Sequence, residues 1–181
     1  DEVVWSRGRV AAIIAHEKIA LEKIFEKVKL AWESMPEPFR PSASTENVRE
    51  LTFKNINSSI YIALRVRSGT IHHLHVSEKA HIEDVEELKL GSYQAVPFSG
   101  DITTETTANG LNHAYFDYLK NKSGESNFKN IFFGWNENDE YQSSTPPHVS
   151  GFRKADLDQN EQYLANLNEN QKNWWYSKIL E

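Results

Sequence analysis

His73-Leu74-His75-Val76-Ser77-Glu78 is a short apolar run that ends in a carboxylate, and Glu105-Thr106-Thr107-Ala108-Asn109-Gly110 begins 27 residues after Glu78. Read together, these stretches decide the fold. A buried strand with a polar, acidic tip, beside a second strand ending in small hydroxyl and amide residues, is how a nucleotide-hydrolysing α/β sheet displays its chemistry. The 181 residues contain no Gly-x-x-x-x-Gly-Lys-Ser/Thr loop to grip phosphate. The pair is therefore half of such a site.

The flanking sequence supplies the rest of the sheet. Residues 9–15 read as a buried strand closed by His16. Residues 17–34 read as an amphipathic helix, with Leu21, Ile24, Phe25, Val28, Ala31, Trp32 and Met35 at helical spacing, stopped by Pro36, Pro38 and Pro41. Residues 48–53 and 59–66 read as two strands around the polar turn Lys54–Ser58, either a hairpin or two neighbours. Ile71–Val76 and Ile102–Glu105 are the next strands. A helix follows from Gly110 to about Lys120, expected to bury Leu111, Tyr115, Phe116 and Leu119, and Ile131–Trp135 reads as the last strand. This strand–helix–strand rhythm indicates a mainly parallel sheet flanked by helices.

Composition changes after residue 135. Residues 136–173 are rich in Asn, Gln, Ser and Asp, with a short helix expected around 156–165. Asn168 and Gln171 form a capping box for a final helix carrying Trp174, Trp175, Ile179 and Leu180. The expected division is a core over 1–150 and a C-terminal connection with a helix over 151–181.

Bulk composition narrows the function classes. With 39% hydrophobic and 25% charged residues the chain suits a globular fold, and with no cysteine it has neither disulfides nor thiolate-bound zinc. No apolar stretch reaches the length of a membrane span. The net charge of −6 argues against the chain holding DNA by itself, while allowing a local patch or another domain to do so.

Glu78 leaves the sheet at a strand's C-terminal end, where a carboxylate orients and polarises a water for attack on a phosphate, with Ser77 holding a metal-bound water. The bland alternative is a solvated strand-end glutamate. Thr107 and Asn109 have side chains that bond both backbone and ligand oxygens, or they simply cap the following helix. His72, His73, His75 and His81 cluster, with His73 and His75 alternating onto one strand face. No His-Glu-x-x-His accompanies them, so they read as semi-buried histidines rather than zinc ligands. Arg65, Arg67 and Lys79 flank the acidic tip, and Arg7 and Arg9 precede the first strand. Each is a candidate for nucleotide phosphate, for a finger into a neighbouring subunit, or for plain solvation.

At these residues the chain resembles the large terminase subunit of tailed bacteriophages, the ATPase that drives double-stranded DNA into the procapsid. The resemblance runs in order through Ala-Leu-Glu-Lys-Ile-Phe-Glu-Lys-Val-Lys (20–29), Arg-Ser-Gly-Thr-Ile-His-His-Leu-His-Val-Ser-Glu-Lys-Ala (67–80), Ala-Val-Pro (95–97) and Glu-Thr-Thr-Ala-Asn-Gly (105–110). Phe132-Phe133-Gly134-Trp135 with Glu140-Tyr141, and the stretch Asn170–Tyr176, extend it over nearly the whole chain.

The resemblance implies an incomplete RecA-like, P-loop NTPase core without its Walker A strand and loop, which are expected before Asp1. An RNase H-like nuclease domain is expected after Glu181. Ser77-Glu78 takes the place of the Walker B tip, with Glu78 catalytic and Ser77 touching Mg²⁺ through water, where many members carry aspartate. Thr106–Gly110 matches the coupling motif, with Asn109 and Thr107 sensing the γ-phosphate and Thr106 assisting at the nucleotide. Arg65 and Arg67 are possible phosphate-binding or trans-acting residues.

The cofactors implied for the complete protein are ATP and Mg²⁺, neither expected to bind this chain tightly. The implied partners are double-stranded DNA, the portal protein, the small terminase subunit and other copies of itself, with no membrane. The implied place is the host bacterial cytoplasm, at the procapsid portal. A chain without the first strand is expected to be inactive by itself, and to leave an unpaired apolar edge that favours self-association. The alternative is a non-catalytic binding or regulatory module on a degenerate NTPase fold. A histidine-based metal hydrolase is the third class.

Overall fold

The computed structural model describes residues 2–146 and 164–179. The chain forms two compact units, Asp1–Phe128 and Lys129–Glu181. The boundary expected between residues 150 and 151 lies outside the described residues.

The first unit is a mixed six-stranded sheet flanked by helices, with strand order β2-β3-β4-β1-β5-β6. After a short helix α1 (Glu2–Trp5), strand β1 (Val10–Ile14) enters the middle of the sheet. It pairs in parallel with β4 (Ser58–Ala63) on one side and β5 (His73–Val76) on the other, and β5 pairs in parallel with β6 (Asp101–Thr104). Strands β2 (Thr45–Glu46) and β3 (Glu50–Phe53) complete the far side in antiparallel pairing. The β3–β4 connection is a hairpin that turns through Lys54–Ile56, with Asn57 left-handed at φ 52°. The polar turn read at Lys54–Ser58 is thus a hairpin turn.

β1 is apolar throughout because both its faces are covered. Ile13 and Ala15 join Leu21 and Phe25 of α2 (Lys18–Glu33), Leu51 and Phe53 of β3, and Ile62 of β4. Ala12 and Ile14 face the other way, onto Leu74, Val76, Val85 and Leu88. The second layer there is a short helix α3 (Val85–Glu87) running into a π-helical stretch, Leu88–Tyr93. Trp32 Nε1 donates to Pro41 O at 3.0 Å, tying the proline-rich exit back onto α2.

β6 closes the sheet on the site side, and its outer edge has no strand partner among the described residues. The sheet has no internal gap, and this edge, Asp-Ile-Thr-Thr, is more polar than the apolar edge expected. Helix α4 (His113–Ser123) starts three residues later than the periodicity suggested. Asn112 caps it, accepting from the N–H groups of Ala114 and Tyr115. Gly110 stays outside the helix at φ +62°, a left-handed conformation open to glycine at little cost. The burial expected for α4 is not found: Leu111, Tyr115, Phe116 and Leu119 are exposed. Polar His113 and Asp117 tie this helix to the turn after Glu78.

The second unit contains a single 3-10 turn at Trp135–Glu137 and helix α5 (Glu169–Ile179) among its described residues. No strand forms at 131–135: Ile131, Phe132 and Phe133 are exposed. An apolar run becomes a strand only where a neighbour satisfies its backbone, and this unit has no strand among its described residues to provide one. The helix expected around 156–165 falls almost wholly outside the described residues. The capping box does form, with Gln171 N donating to Asn168 Oδ1 and Asn168 N donating to Gln171 Oε1, both at 2.9 Å. Trp174 stacks on Trp135 and Tyr141 at centroid distances of 4.9 and 4.8 Å.

Candidate functional site

The site is built where β5 and β6 end side by side. The parallel ladder runs past both strands, with Ser77 N donating to Ile14 O at 2.8 Å and Glu105 N to Val76 O at 3.0 Å. Ser77 is buried, while Glu78 turns out of the sheet in a left-handed conformation, φ 50° and ψ 49°. For a residue with a Cβ this costs about 1–2 kcal/mol, so the surroundings have to hold it there.

They do so from the neighbouring strand end. Glu78 Oε2 accepts from Thr107 N at 3.2 Å, from Thr107 Oγ1 at 3.1 Å and from Thr106 Oγ1 at 3.4 Å. Burial alone would raise this carboxyl's pKa. The Thr107 backbone and hydroxyl donors, His81 at 3.9 Å and Thr106 outweigh it and hold the pKa below the ordinary glutamate value. Glu78 is thus a carboxylate at neutral pH, fixed by neutral donors and partly open to solvent.

Asn109 does not point at Glu78. Its Nδ2 donates to Ala80 O at 3.2 Å, alongside Asn112 Nδ2 at 3.0 Å. Arg65 and Arg67 lie elsewhere on the same sheet edge, both paired with the carboxylate of Glu87. They line a cavity of about 370 Å³ with His16, His81 and Asp84, and Glu78 is not among its lining residues. Lys79 offers nothing to a phosphate: it is buried, and its ammonium sits 2.6 Å from Asp117. Arg9 pairs with Glu2 at 3.0 Å.

His72, His73 and His75 are semi-buried and His81 is exposed; His73 faces two carboxylates, His75 and His81 one each. His73 lies 2.9 Å from Glu2 and 3.5 Å from Asp101, and His75 lies 3.6 Å from Glu105. His72 Nδ1 accepts from Val10 N at 3.1 Å. Among the described residues no group of three or more His, Cys, Asp or Glu side chains is placed to hold a metal ion. No described helix is long and apolar enough to cross a membrane.

No protein-family model matches the chain, and no curated protein matches it.

Sequence reasoning placed the two strand ends side by side and expected Asn109 to reach Glu78. The strand ends do meet, but Thr106 and Thr107 contact Glu78 while Asn109 bonds Ala80 O. Sequence reasoning missed Asn112, His113 and Asp117, which fasten α4 to the turn after Glu78. The available signal was the i, i+4 spacing of His113 and Asp117, which puts both on one helix face.

Proposed function

We propose that this chain carries the hydrolysing and coupling elements of an ATP-driven motor that moves double-stranded viral DNA into a procapsid. The reading takes the sheet as a RecA-like core, with β5 as the Walker B strand and β6 leading into the coupling loop. The observation that carries it is the junction of Glu78 with Thr107, two strand ends joined through one carboxylate. Such a junction changes whenever Glu78 exchanges Thr107 for a water or a phosphate oxygen.

The donor set fits one end of a nucleotide. A carboxylate and the hydroxyls of Thr106 and Thr107 suit an attacking water and a terminal phosphate. Nothing in residues 1–181 offers the glycine-rich amides and lysine that hold the inner phosphates. The reading therefore requires a phosphate loop from outside these residues. Bound Mg²⁺ would neutralise charge on the phosphate oxygens, and Ser77 would be the residue to meet it through a water.

Glu78, held below the ordinary pKa, is a weak base. Its role is to orient and polarise the water, which is most of what phosphoryl transfer asks of a protein. Thr107 reports the occupant of that position to the β6 loop, and Asn109 passes it to the Glu78 turn through Ala80 O.

The alternative reading is a binding or regulatory module with no turnover. The two separate in an assay of the intact gene product with procapsids, ATP and linear DNA. The motor reading expects ATP-dependent protection of DNA from nuclease, with Thr107→Ala lowering DNA packaged more than ATP consumed. An intact protein that neither hydrolyses ATP nor protects DNA leaves the second reading standing.

A further inference from the structure

We infer that Lys79, Asp117 and His113 form a clamp that sets the left-handed turn of Glu78 and makes α4 move with it; these are positioning residues that touch no substrate. The inference deepens the reading of Glu78 as the hydrolytic residue, yet its geometry holds whether or not the protein turns over ATP.

Lys79 meets α4 at two points one helical turn apart. Its carbonyl oxygen lies 2.7 Å from His113 Nε2, and its ammonium lies 2.6 Å from Asp117 Oδ2. Residues four apart share a helix face, so a single lysine bridges a whole turn of α4. Asp117 Oδ1 takes a second cation, Lys89, at 3.2 Å. Burial would raise the pKa of Asp117, but the hydrogen bonds and charges of Lys79 and Lys89 outweigh it and hold the pKa below the ordinary aspartate value.

The backbone after Glu78 is fixed as completely. Lys79 N donates to Glu105 O at 3.1 Å, and Ala80 N donates to Thr106 Oγ1 at 3.0 Å. Ala80 O accepts from both Asn109 and Asn112, the latter also being the α4 cap. Every polar backbone group of residues 79 and 80 is thus bonded to the β6 loop or to α4. A left-handed glutamate persists only where its surroundings over-determine it. Thr106 and Thr107 hold its side chain, and the clamp adds the hold on the backbone that follows. Rotation of the Glu78 turn then carries Lys79, and α4 with it.

The test is a carboxyl NMR titration of Glu78 with hydrogen exchange at the amides of Lys79, Ala80 and Thr107, in the wild-type chain, Asp117→Asn and Lys89→Met. In Asp117→Asn the Glu78 midpoint should rise towards the ordinary glutamate value, and the three amides should exchange about tenfold faster than those of β1. Lys89→Met, which keeps the inner pair, should leave the Glu78 midpoint in place. A folded Asp117→Asn with an unmoved Glu78 midpoint and unchanged exchange overturns the inference.

If Asp117→Asn does not fold, the wild-type chain decides by acidification. The three amides should lose protection as Asp117 protonates, ahead of β1. Loss of protection only together with β1 overturns it. Neither readout uses ATP, so a failure of ATP hydrolysis would strike the motor reading alone.

Discussion

Two carboxylates with depressed pKa values stand at opposite ends of one short path through the first unit, and they are stabilised differently. Glu78, at the strand-end turn, is held by the neutral donors of Thr106 and Thr107, with His81 further off. Asp117, at the seat of α4, is held by two ammonium groups. Neutral donors fix a carboxylate's direction while leaving its charge uncompensated and usable. Two cations compensate the charge and fasten two elements together. The difference separates a group placed to act from a group placed to hold.

The largest expected effect is on the holding side. Asp117→Ala leaves Lys79, with a side chain 10% exposed, without a counter-ion. This should cost about 3 kcal/mol, the lower end for a broken buried pair because Asp117 is itself partly solvated, read as a fall in the urea midpoint. A cost near zero would mean that the seat is ordinary surface. Asn112→Ala removes both the α4 cap and a donor to Ala80 O, and should cost about 1–2 kcal/mol in the same experiment.

Thr107→Val keeps the branched shape and the backbone donor but loses the hydroxyl. It should cost about 1 kcal/mol and move the Glu78 titration upward. Glu78→Gly trades lost hydrogen bonds for relieved left-handed strain, so its stability should stay within about 1 kcal/mol of wild type. A large loss would show that Glu78 holds the turn rather than being held by it.

The smallest effects come from acid and salt. Both folded pKa values are lowered, so the stability they contribute is complete above the unfolded carboxylate range near about pH 4 and is lost as pH falls through the folded values. Added salt should weaken the Asp117 share more than the Glu78 share, because only the former rests chiefly on ion pairs. Equal salt dependence of Thr107→Val and Asp117→Asn, measured as changes in unfolding midpoint, would erase the distinction.

The sheet was readable because burial leaves a plain mark: Val10–Ile14 is apolar throughout, and Leu74 and Val76 are apolar on the buried face of β5. The hairpin and the α5 capping box are local chemistry, and they too lie in short stretches of sequence. What was not readable depends on distant partners. The run at 131–135 has strand composition but finds no strand to pair with. The apolar side of α4 is not its buried side, since Asp117 and His113 set the helix's orientation through groups 38 and 34 residues away in the chain. Glu78 and Thr107 were legible as a pair, whereas the lysine beside Glu78, which looked available to phosphate, is spent on Asp117.

The most direct test of the proposed function is ATP hydrolysis by the intact gene product, with and without Glu78→Gln. The account predicts DNA-stimulated turnover that falls at least about a hundredfold in Glu78→Gln while the fold and the α4 seat are kept. Turnover that survives the substitution unchanged would contradict it.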